Sequence, residues 1–273
     1  MLIDGKKIAE DIKNSIHISV QKMKMPPKMA IVVAGKNPVI EKFVAIKKKF
    51  GDDVGISVTE FRFLETCSQS ELEGCVRNLA ANNEYTGIVI QLPLPEGIDA
   101  RSVLDLVPRE KDSDMLSTNS MAAMRRGDAV ILAPVVGAIA EICERENITI
   151  AGKDVLILGA GRLVGAPAEI WFRHRGAHVT TLEKPVRDLA MFTKDADIIV
   201  SGTGKPGILT PELLKEGVIL FDAGTSEDGG KVRGDADPEC AKHCSIFTPV
   251  PGGIGPITVA VLFKNLITLA HKK

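Results

Sequence analysis

Short apolar runs alternate with amphipathic stretches along most of the chain. In the first half, three runs rich in β-branched residues occupy 29–35, 55–63 and 86–94. Two stretches with helical periodicity, 37–53 and 68–83, separate them. The apolar runs are nearly continuous, which is typical of strands that are buried on both faces of a parallel sheet. The pattern therefore predicts βαβ units in this half.

The second half repeats the alternation. Its strand-like runs are 154–161, 177–183, 196–204 and 218–224, and its helical runs are 163–175, 186–194 and 211–216. A last helical segment covers 257–270. Strands that alternate with helices from end to end predict parallel sheets with helices on both faces, so the expected fold class is α/β.

A polar segment separates the two halves. This segment covers 108–150. It starts with the polar sequence PREKDSDMLSTNS and continues with a helical pattern around 136–146. We place the domain boundary there, which gives a first domain of 1–133 plus 256–273 and a second domain of 134–255. The terminal helix comes after the last strand of the second half, so we expect it to pack back on the first domain. A chain of 273 residues that is 45% hydrophobic can build both cores.

The charge balance narrows the class of partner. The chain has 34 basic and 35 acidic residues without a long block of one sign, which argues against nucleic acid or an anionic membrane surface as the ligand. A small-molecule ligand is the expectation. There is no run of eighteen apolar residues, and Asp4, Glu10 and Asp11 lie where a signal peptide would need an apolar stretch. These features predict a cytoplasmic protein without a membrane span.

The cysteines predict reduced thiols. There are five, an odd number in a chain long enough to fold without disulfides. Cys240, His243 and Cys244 have a spacing that could suit a metal, but no second pair of ligands lies elsewhere in the sequence. We therefore favour a structural role for these cysteines and expect no metal.

A glycine-rich turn in the second half indicates a dinucleotide site. Gly159, Gly161 and Gly165 follow an apolar strand and precede a helix, an order that offers N–H groups and the positive end of a helix dipole to a pyrophosphate. The spacing is one residue longer than the usual fingerprint. The next strand ends at Glu183, about where an acidic residue binds a ribose hydroxyl. We therefore predict that the second domain is Rossmann-like and binds NAD(P).

The sequence leaves the choice of nucleotide open. A carboxylate at Glu183 favours the 2′-hydroxyl of NAD and repels the 2′-phosphate of NADP. Arg162, Lys184 and Arg187 act in the opposite direction, because each could reach an anion near the end of that strand.

Three segments of the first half and one of the second carry candidate chemistry. Phe43 and Lys47 are four residues apart in FVAIK and share a helix face, although the adjacent lysines are also consistent with a solvated basic surface. Gln91 ends a buried strand, where open α/β sheets place their ligands. Asp114 lies in KDSD, a segment that could equally serve to cap a helix. The segment 248–258, TPVPGGIGPIT, predicts a rigid loop with exposed backbone.

These motifs together resemble one enzyme family. QLPLP, the KDxD segment, the glycine-rich turn followed by LVGAP, and TPVPGGIGPIT occur in the order and approximate spacing of the methylenetetrahydrofolate dehydrogenase/methenyltetrahydrofolate cyclohydrolase family. The match spans nearly the whole chain. The resemblance implies a folate-binding catalytic domain and an NADP-binding domain with a cleft between them, usually in a homodimer that associates through the nucleotide-binding domains.

The resemblance also implies a pair of reactions in one-carbon metabolism. They are oxidation of 5,10-methylenetetrahydrofolate to the methenyl form with NADP, and hydrolysis of that form to 10-formyltetrahydrofolate, a precursor for purine biosynthesis. Lys47 falls on the catalytic lysine of the family, Gln91 on the glutamine that contacts it, and Asp114 on the acid that holds the pterin ring. Phe43, Pro251, Gly252 and Gly253 are then expected to contact the substrate. The expected cofactor-binding set is Gly159, Gly161, Arg162, Leu163, Val164, Gly165, Glu183, Lys184, Arg187, Gly202, Thr203, Gly204 and Thr225.

Several positions depart from the family pattern. Phe43 replaces a tyrosine, Met115 replaces the glycine of KDVDG, and PVVG at 134–137 stands where the family has a PCTP-like segment. In the second domain, Gly159-Ala160-Gly161 replaces GRS and Leu182-Glu183-Lys184 replaces CHS, so NAD is kept as the alternative to NADP. Two other functions stay open at this point. One is a dehydrogenase without cyclohydrolase activity, and the other is a non-catalytic regulatory protein that binds a dinucleotide.

Overall fold

The structure is a computed structural model that describes residues 1–228 and 231–272. Contacts divide the chain into two units. The three-stranded unit comprises Glu10–Pro134 and the chain from Val259 on, and the five-stranded unit comprises Met1–Ala9 and Val135–Thr258. We predicted residues 1–9 in the first domain, but they group with the second. The reason is local, since Ile3 N donates a hydrogen bond to Phe247 O at 2.9 Å and so extends the edge of the five-stranded sheet.

The three-stranded unit is built on a parallel sheet in the order β2-β1-β3. Its helices and strands are α1 Gly5–Gln21, β1 Lys28–Ala34, α2 Pro38–Val54, β2 Ser57–Phe63, α3 Gln69–Ala81, β3 Gly87–Ile90, α4 Ala100–Leu104 and α5 Thr118–Arg126, with α1 beginning in the other unit. The central strand β1 is buried along almost its whole length. This burial on both faces explains why its sequence is apolar without alternation.

A buried lysine fixes the loop that follows α4. Lys111 Nζ donates to the backbone oxygens of Leu79, Ala80 and Asn82 at 3.2, 2.8 and 2.7 Å, where α3 ends. A cation at this position satisfies carbonyl groups that have no partner within the helix and complements the helix dipole. Ile88 N in β3 donates to Lys111 O at 2.8 Å. The 111–114 segment is therefore held against both α3 and β3.

The five-stranded unit is a parallel sheet in the order β10-β7-β6-β4-β5. Its helices and strands are α6 Pro134–Arg145, β4 Asp154–Leu158, α7 Gly165–His174, β5 His178–Leu182, α8 Ala190–Thr193, β6 Ile198–Ser201, β7 Val218–Asp222, β8 Ser226–Asp228, β9 Lys231–Arg233 and β10 Cys244–Phe247, with β8 and β9 pairing as an antiparallel hairpin. The strand order changes direction at β4. Ligands of open α/β sheets bind at such a switch point, outside the carboxyl ends of the strands.

The last helix, α9 Ile254–Ala270, packs on the three-stranded unit from Val259 onward. The ring of Phe263 stacks on Phe50 with centroids 4.8 Å apart. Asn265 Nδ2 donates to Ser113 O at 2.9 Å and to Leu132 O at 2.8 Å. These contacts confirm the predicted return of the C-terminal helix. Among the described residues, no helix combines the length and the apolar character that a membrane crossing requires.

The predicted α/β class with two parallel sheets is confirmed, whereas several predicted elements differ in length. The strand expected over 86–94 ends at Ile90, because the prolines at 93 and 95 have no N–H to donate to a ladder. The helix expected over 186–194 shortens to Ala190–Thr193, and the one expected over 211–216 is a 3₁₀ turn, Pro211–Leu213. The pattern also missed α1, α5, the β8–β9 hairpin and the four-residue strand β10.

Two buried serines, Ser113 and Ser117, provide a test of the packing around the loop that contains Lys111. The hydroxyl of Ser113 is buried without a hydrogen-bond partner in the described part of the chain. Ser113→Ala should raise the free energy of unfolding by about 1 kcal/mol, since it removes an unsatisfied polar group and adds no volume. Urea denaturation of the full chain measures this change.

Ser117→Ala is the matched control for this prediction. Ser117 Oγ accepts from Ser120 N at 3.1 Å at the start of α5 and donates to Ser120 Oγ at 3.0 Å. Its removal should lower the free energy of unfolding by about 1 kcal/mol. A destabilised Ser113→Ala variant would contradict the interpretation of Ser113.

Candidate active site

One predicted cluster lies within the three-stranded unit and joins α2 to the end of β3. Helix α2 begins at Pro38, where the Asn37 side chain accepts a hydrogen bond from Val39 N at 2.8 Å. Lys47 lies on the third turn of this helix, and its Nζ donates to Gln91 Oε1 at 2.7 Å. The amide nitrogen of Gln91 in turn donates to Leu92 O at 2.9 Å. That second bond orients the Gln91 oxygen toward the lysine.

The electrostatic surroundings of Lys47 and Asp114 shift both groups toward their neutral forms. Desolvation lowers the pKa of Lys47, and the charge of Asp114 partly opposes this effect. Desolvation likewise raises the pKa of Asp114, where Lys47 acts to lower it and Asp112 to raise it. An amine and a carboxyl with pKa values shifted toward each other can exchange protons with a ligand more readily than exposed groups.

The lysines beside Lys47 have different surroundings. Lys48 Nζ lies 2.7 Å from Glu60 Oε1, and Lys49 Nζ lies 3.0 Å from Asp53 Oδ1. Both lysine side chains are exposed, so the interpretation of this helix as a solvated basic surface applies to these two residues. Phe43, one turn before Lys47, is 38% exposed and leaves part of its ring accessible.

The KDSD segment contains one structural carboxylate and one candidate ligand. Asp112 is buried and accepts from Leu116 N at 3.1 Å and Ser117 N at 2.8 Å, so it holds the loop before α5, whereas the helix itself is capped by Ser117. Asp114 is the carboxyl that interacts electrostatically with Lys47. Met115 has φ 59°, the left-handed conformation that glycine adopts without strain. Although Met115 replaces a family glycine, its backbone takes a conformation that a glycine would also take, and its side chain is buried.

The glycine-rich turn lies at the switch point of the five-stranded sheet. Gly159 has φ 89° directly after β4, and a Cβ on Gly165 would come within 1.7 Å of Gly159 O. A side chain at either position would disturb the close approach of α7 to the turn. Val164, the residue before this helix, makes no side-chain cap, while Ala166 N donates to Gly161 O at 3.0 Å and Pro167 has no N–H. The feature of this site that suits a phosphate is the positive end of the α7 dipole next to the backbone of the turn.

Other predicted nucleotide contacts surround this turn. Leu163, Glu183, Lys184 and Arg187 are exposed, and Arg162 is half-buried. Glu183 and Lys184 directly follow β5, the strand next to β4. One carboxylate, Glu183, and two cations, Lys184 and Arg187, therefore follow the carboxyl end of the edge strand β5.

Gly202, Thr203 and Gly204 follow β6, the other neighbour of β4, and Thr225 follows β7. Thr203 directs its hydroxyl to Asp235 Oδ2 at 2.9 Å. Asp235 and Asp222 are fully buried, and sequence reasoning overlooked both. The available signal was a pair of aspartates next to glycines, Asp222-Ala-Gly224 and Gly234-Asp235, in a segment that was otherwise interpreted as a strand end and a loop.

The proline- and glycine-rich segment forms a loop between β10 and α9. Gly253 N donates to Pro249 O at 2.7 Å, and Gly5 N donates to Gly252 O at 2.9 Å. The Val250–Pro251 peptide is cis, and Pro251 is exposed. The loop is therefore held by backbone bonds to itself and to the N-terminal segment, which agrees with the rigid loop expected from its composition.

The cysteine side chains are free thiols. Burial raises the pKa of Cys240 to about 12 and that of Cys244 to about 11. The Sγ atom of Cys240 lies 3.5 Å from Leu209 O. A neutral thiol directed at a carbonyl is packed as part of the core.

Comparison with known proteins gives matches over both units. Residues 134–273 match the family model "Tetrahydrofolate dehydrogenase/cyclohydrolase, NAD(P)-binding domain", and residues 3–114 match "Tetrahydrofolate dehydrogenase/cyclohydrolase, catalytic domain". The "Bifunctional protein FolD" of a Nitratiruptor species is 34% identical over 277 residues, which cover 100% of this chain and 98% of that protein.

Solved structures agree with the sequence matches. The bifunctional FolD methylenetetrahydrofolate dehydrogenase/cyclohydrolase of Campylobacter jejuni has a TM-score of 0.96 at 30% identity, covering 100% of this chain and 99% of that one. The methylenetetrahydrofolate dehydrogenase-cyclohydrolase of Trypanosoma brucei, complexed with NADP cofactor and inhibitor, has a TM-score of 0.94 at 29% identity, covering 100% and 97%.

Asp222 leads to a prediction about stability and pH. Burial raises its pKa to about 6, above the value of 3.8 for an ordinary aspartate. The native protein should therefore hold an extra proton between about pH 4 and pH 6, so this group lowers stability as pH rises through that window, by up to about 3 kcal/mol. Above the window its contribution is constant.

Asp222→Asn should remove this part of the pH dependence, because the amide does not titrate. Urea midpoints of wild type and variant between about pH 4 and pH 7 measure the difference. The variant should be less stable overall, since its amide nitrogen faces backbone N–H groups whose hydrogen bonds Asp222 accepts. Identical slopes for the two proteins would exclude the raised pKa.

Proposed function

The chain belongs to the tetrahydrofolate dehydrogenase/cyclohydrolase family, and from this membership we infer a bifunctional enzyme of one-carbon metabolism. It oxidises 5,10-methylenetetrahydrofolate to the methenyl form and hydrolyses that form to 10-formyltetrahydrofolate. The observation that carries the second activity is the Lys47–Gln91 contact of 2.7 Å beside Asp114. Hydrolysis needs a group that can take a proton from water and return it when the adduct collapses.

We assign that proton transfer to Lys47. Its lowered pKa enlarges the fraction of neutral amine, which can accept a proton from the attacking water. The Gln91 oxygen would hold the amine in place through the cycle. Asp114, as a carboxyl in desolvated surroundings, would hold the pterin ring of the substrate, and the Phe43 ring would stack on it.

We assign the nucleotide to the switch point of the five-stranded sheet and propose NADP. The T. brucei relative is complexed with NADP. In this chain the glycine-rich turn and the positive end of the α7 dipole would bind the pyrophosphate, and Lys184 and Arg187 would supply positive charge for the 2′-phosphate. Glu183 opposes that preference. When bound, the nicotinamide supplies the hydride acceptor.

Hydride transfer requires near contact between the folate methylene carbon and the nicotinamide ring. We assign the Pro251–Gly253 loop to this contact, because Pro251 is exposed and the two glycines that follow it have no side chain. We also propose, from the family resemblance, that the protein is cytoplasmic and forms a homodimer. Sedimentation measurements on the purified protein test the homodimer.

Lys47→Met separates the two activities. The substitution keeps the length of the side chain and removes the proton acceptor, so cyclohydrolase turnover should fall by about 10²–10⁴-fold. NADPH formation should persist at least in part, since hydride transfer needs no proton from Lys47. Decay of methenyl absorbance and appearance of NADPH measure the two steps in one sample.

Lys48→Met is the matched control, because its ammonium pairs with Glu60 outside the cluster. It should retain both activities. In wild type the hydrolysis rate should increase with pH as Lys47 loses its proton, through a pKa below 10.5. Full hydrolytic turnover in Lys47→Met would remove this residue from the mechanism.

The cofactor assignment predicts opposite effects for neighbouring charges. Replacing Lys184 and Arg187 together by alanine should lower kcat/KM for NADP by about tenfold while that for NAD changes less, because only NADP carries the 2′-phosphate. Glu183→Gln should raise kcat/KM for NADP. Initial rates of wild type and variants, measured with NADP and NAD in parallel, give these kcat/KM values. Equal losses with NAD and NADP would contradict the assignment.

The same assays test the alternatives. A dehydrogenase without cyclohydrolase activity would accumulate the methenyl product after NADPH forms. A regulatory protein would bind the nucleotide without oxidising methylenetetrahydrofolate. The Lys47–Gln91 pair favours the bifunctional enzyme over both, because an amine whose pKa is lowered by desolvation is suited to the proton transfer that hydrolysis requires.

A further inference from the structure

We propose that Asp235 is a positioning residue that sets the conformation of the nucleotide-binding loop after β6. This proposal rests on the assignment of the nucleotide to the five-stranded unit. Asp235 is fully buried, lies 30 or more residues beyond the loop in sequence, and does not touch the exposed surface where a nucleotide would bind. It acts through the loop it holds.

Four donors from a five-residue stretch converge on this carboxylate. Oδ2 accepts from Ser201 Oγ at 2.6 Å, Thr203 N at 2.7 Å and Thr203 Oγ1 at 2.9 Å, and Oδ1 accepts from Lys205 N at 2.9 Å. The Thr203 hydroxyl also accepts from Lys205 N at 3.1 Å. The loop therefore winds around one anion, with alternate N–H groups directed inward.

The carboxylate itself is held rigidly. Asp222, at the end of β7, accepts from Asp235 N at 3.1 Å and from Ala236 N at 2.9 Å. On the other side, Leu209 N donates to Asp235 O at 3.3 Å. A Cβ on Gly224 would come within 2.2 Å of Asp235 Cγ, so the chain after β7 packs directly against the carboxylate. The position of Asp235 is thus set by backbone bonds on both of its sides.

The loop that Asp235 organises lies at the predicted nucleotide site. It follows β6, which pairs with β4 at the switch point, and a Cβ on Gly202 would come within 2.6 Å of Val164 next to the glycine-rich turn. Gly202, Thr203 and Gly204 belong to the proposed cofactor contacts. Because Thr203 is bound inward through its N–H and hydroxyl, the loop offers a nucleotide its remaining backbone groups. Their direction depends on the inward bonds.

Asp235→Asn tests this dependence with little change in volume. The amide replaces one accepting oxygen by a donating nitrogen, which would face N–H or O–H donors of the loop. We expect the KM for NADP to rise about tenfold or more, and the dissociation constant for NADP measured by calorimetry to rise in parallel. The cyclohydrolase rate should stay within about threefold of wild type, since hydrolysis uses no nucleotide.

Asp237→Asn is the matched control. It carries the same substitution two residues further on, where the side chain accepts from Glu239 N at 2.8 Å at a 3₁₀ turn. NADP affinity should change less than about twofold. If Asp235→Asn does not fold, Ser201→Ala takes its place, because it removes one donor to Asp235 and lies outside the proposed cofactor contacts. It should raise the KM for NADP by a smaller factor, about two- to fivefold.

The outcomes separate a positioning role from a structural one. A folded Asp235→Asn variant with wild-type NADP affinity overturns the proposal, and so does an equal loss of NADP affinity and cyclohydrolase turnover. With Ser201→Ala as the only folded variant, an unchanged KM for NADP overturns it. A wild-type protein without dehydrogenase activity would refute the proposed function instead, and calorimetric titration with NADP would still test Asp235.

Discussion

The loops of this protein are held by buried charges whose partners are backbone groups. The ammonium of Lys111 binds three carbonyl oxygens where α3 ends. The carboxylates of Asp112, Asp222 and Asp235 accept backbone N–H groups in the loops around them. A charge-assisted bond to the backbone is strong, and its loss leaves a buried group unsatisfied, so each of these side chains specifies one loop conformation.

Lys47 contrasts with Lys111 in the same unit. Both amines are removed from water, but within the described part of the chain the hydrogen-bond partner of Lys47 is a single amide oxygen. Its ammonium is therefore less well compensated, which is why desolvation dominates its pKa. One lysine is used to fix a loop, and the other remains available to exchange a proton. The difference lies in how many oxygens the fold directs at each amine.

The backbone conformation explains how Met115, one of the departures from the family pattern, fits into its loop. Met115 adopts the left-handed conformation that its loop needs, and burial of its side chain offsets part of the strain. Ser113 places a hydroxyl without a partner among the described residues where an apolar side chain would pack. Both residues lie next to Asp114, and the 111–114 segment has bonds to α3, β3 and α9. The loop is determined by its backbone contacts more than by the side chains at these two positions.

The sequence alone determined the α/β class, the positions of most strands along the chain and the glycine-rich turn, because these depend on local apolar periodicity and on short motifs. It also predicted the contact between Lys47 and Gln91, although through a family resemblance, since spacing could not separate Lys47 from the lysines beside it. Tertiary structure decided which residues lose water and which donors they meet. Residues 44 positions apart, Lys47 and Gln91, meet only after two strands pair, and Asp235 reaches the loop at 201–205 only through the return of the chain after β7. Burial and long-range hydrogen bonds are properties of the folded chain, so the roles of Lys111, Asp222 and Asp235 were visible only there.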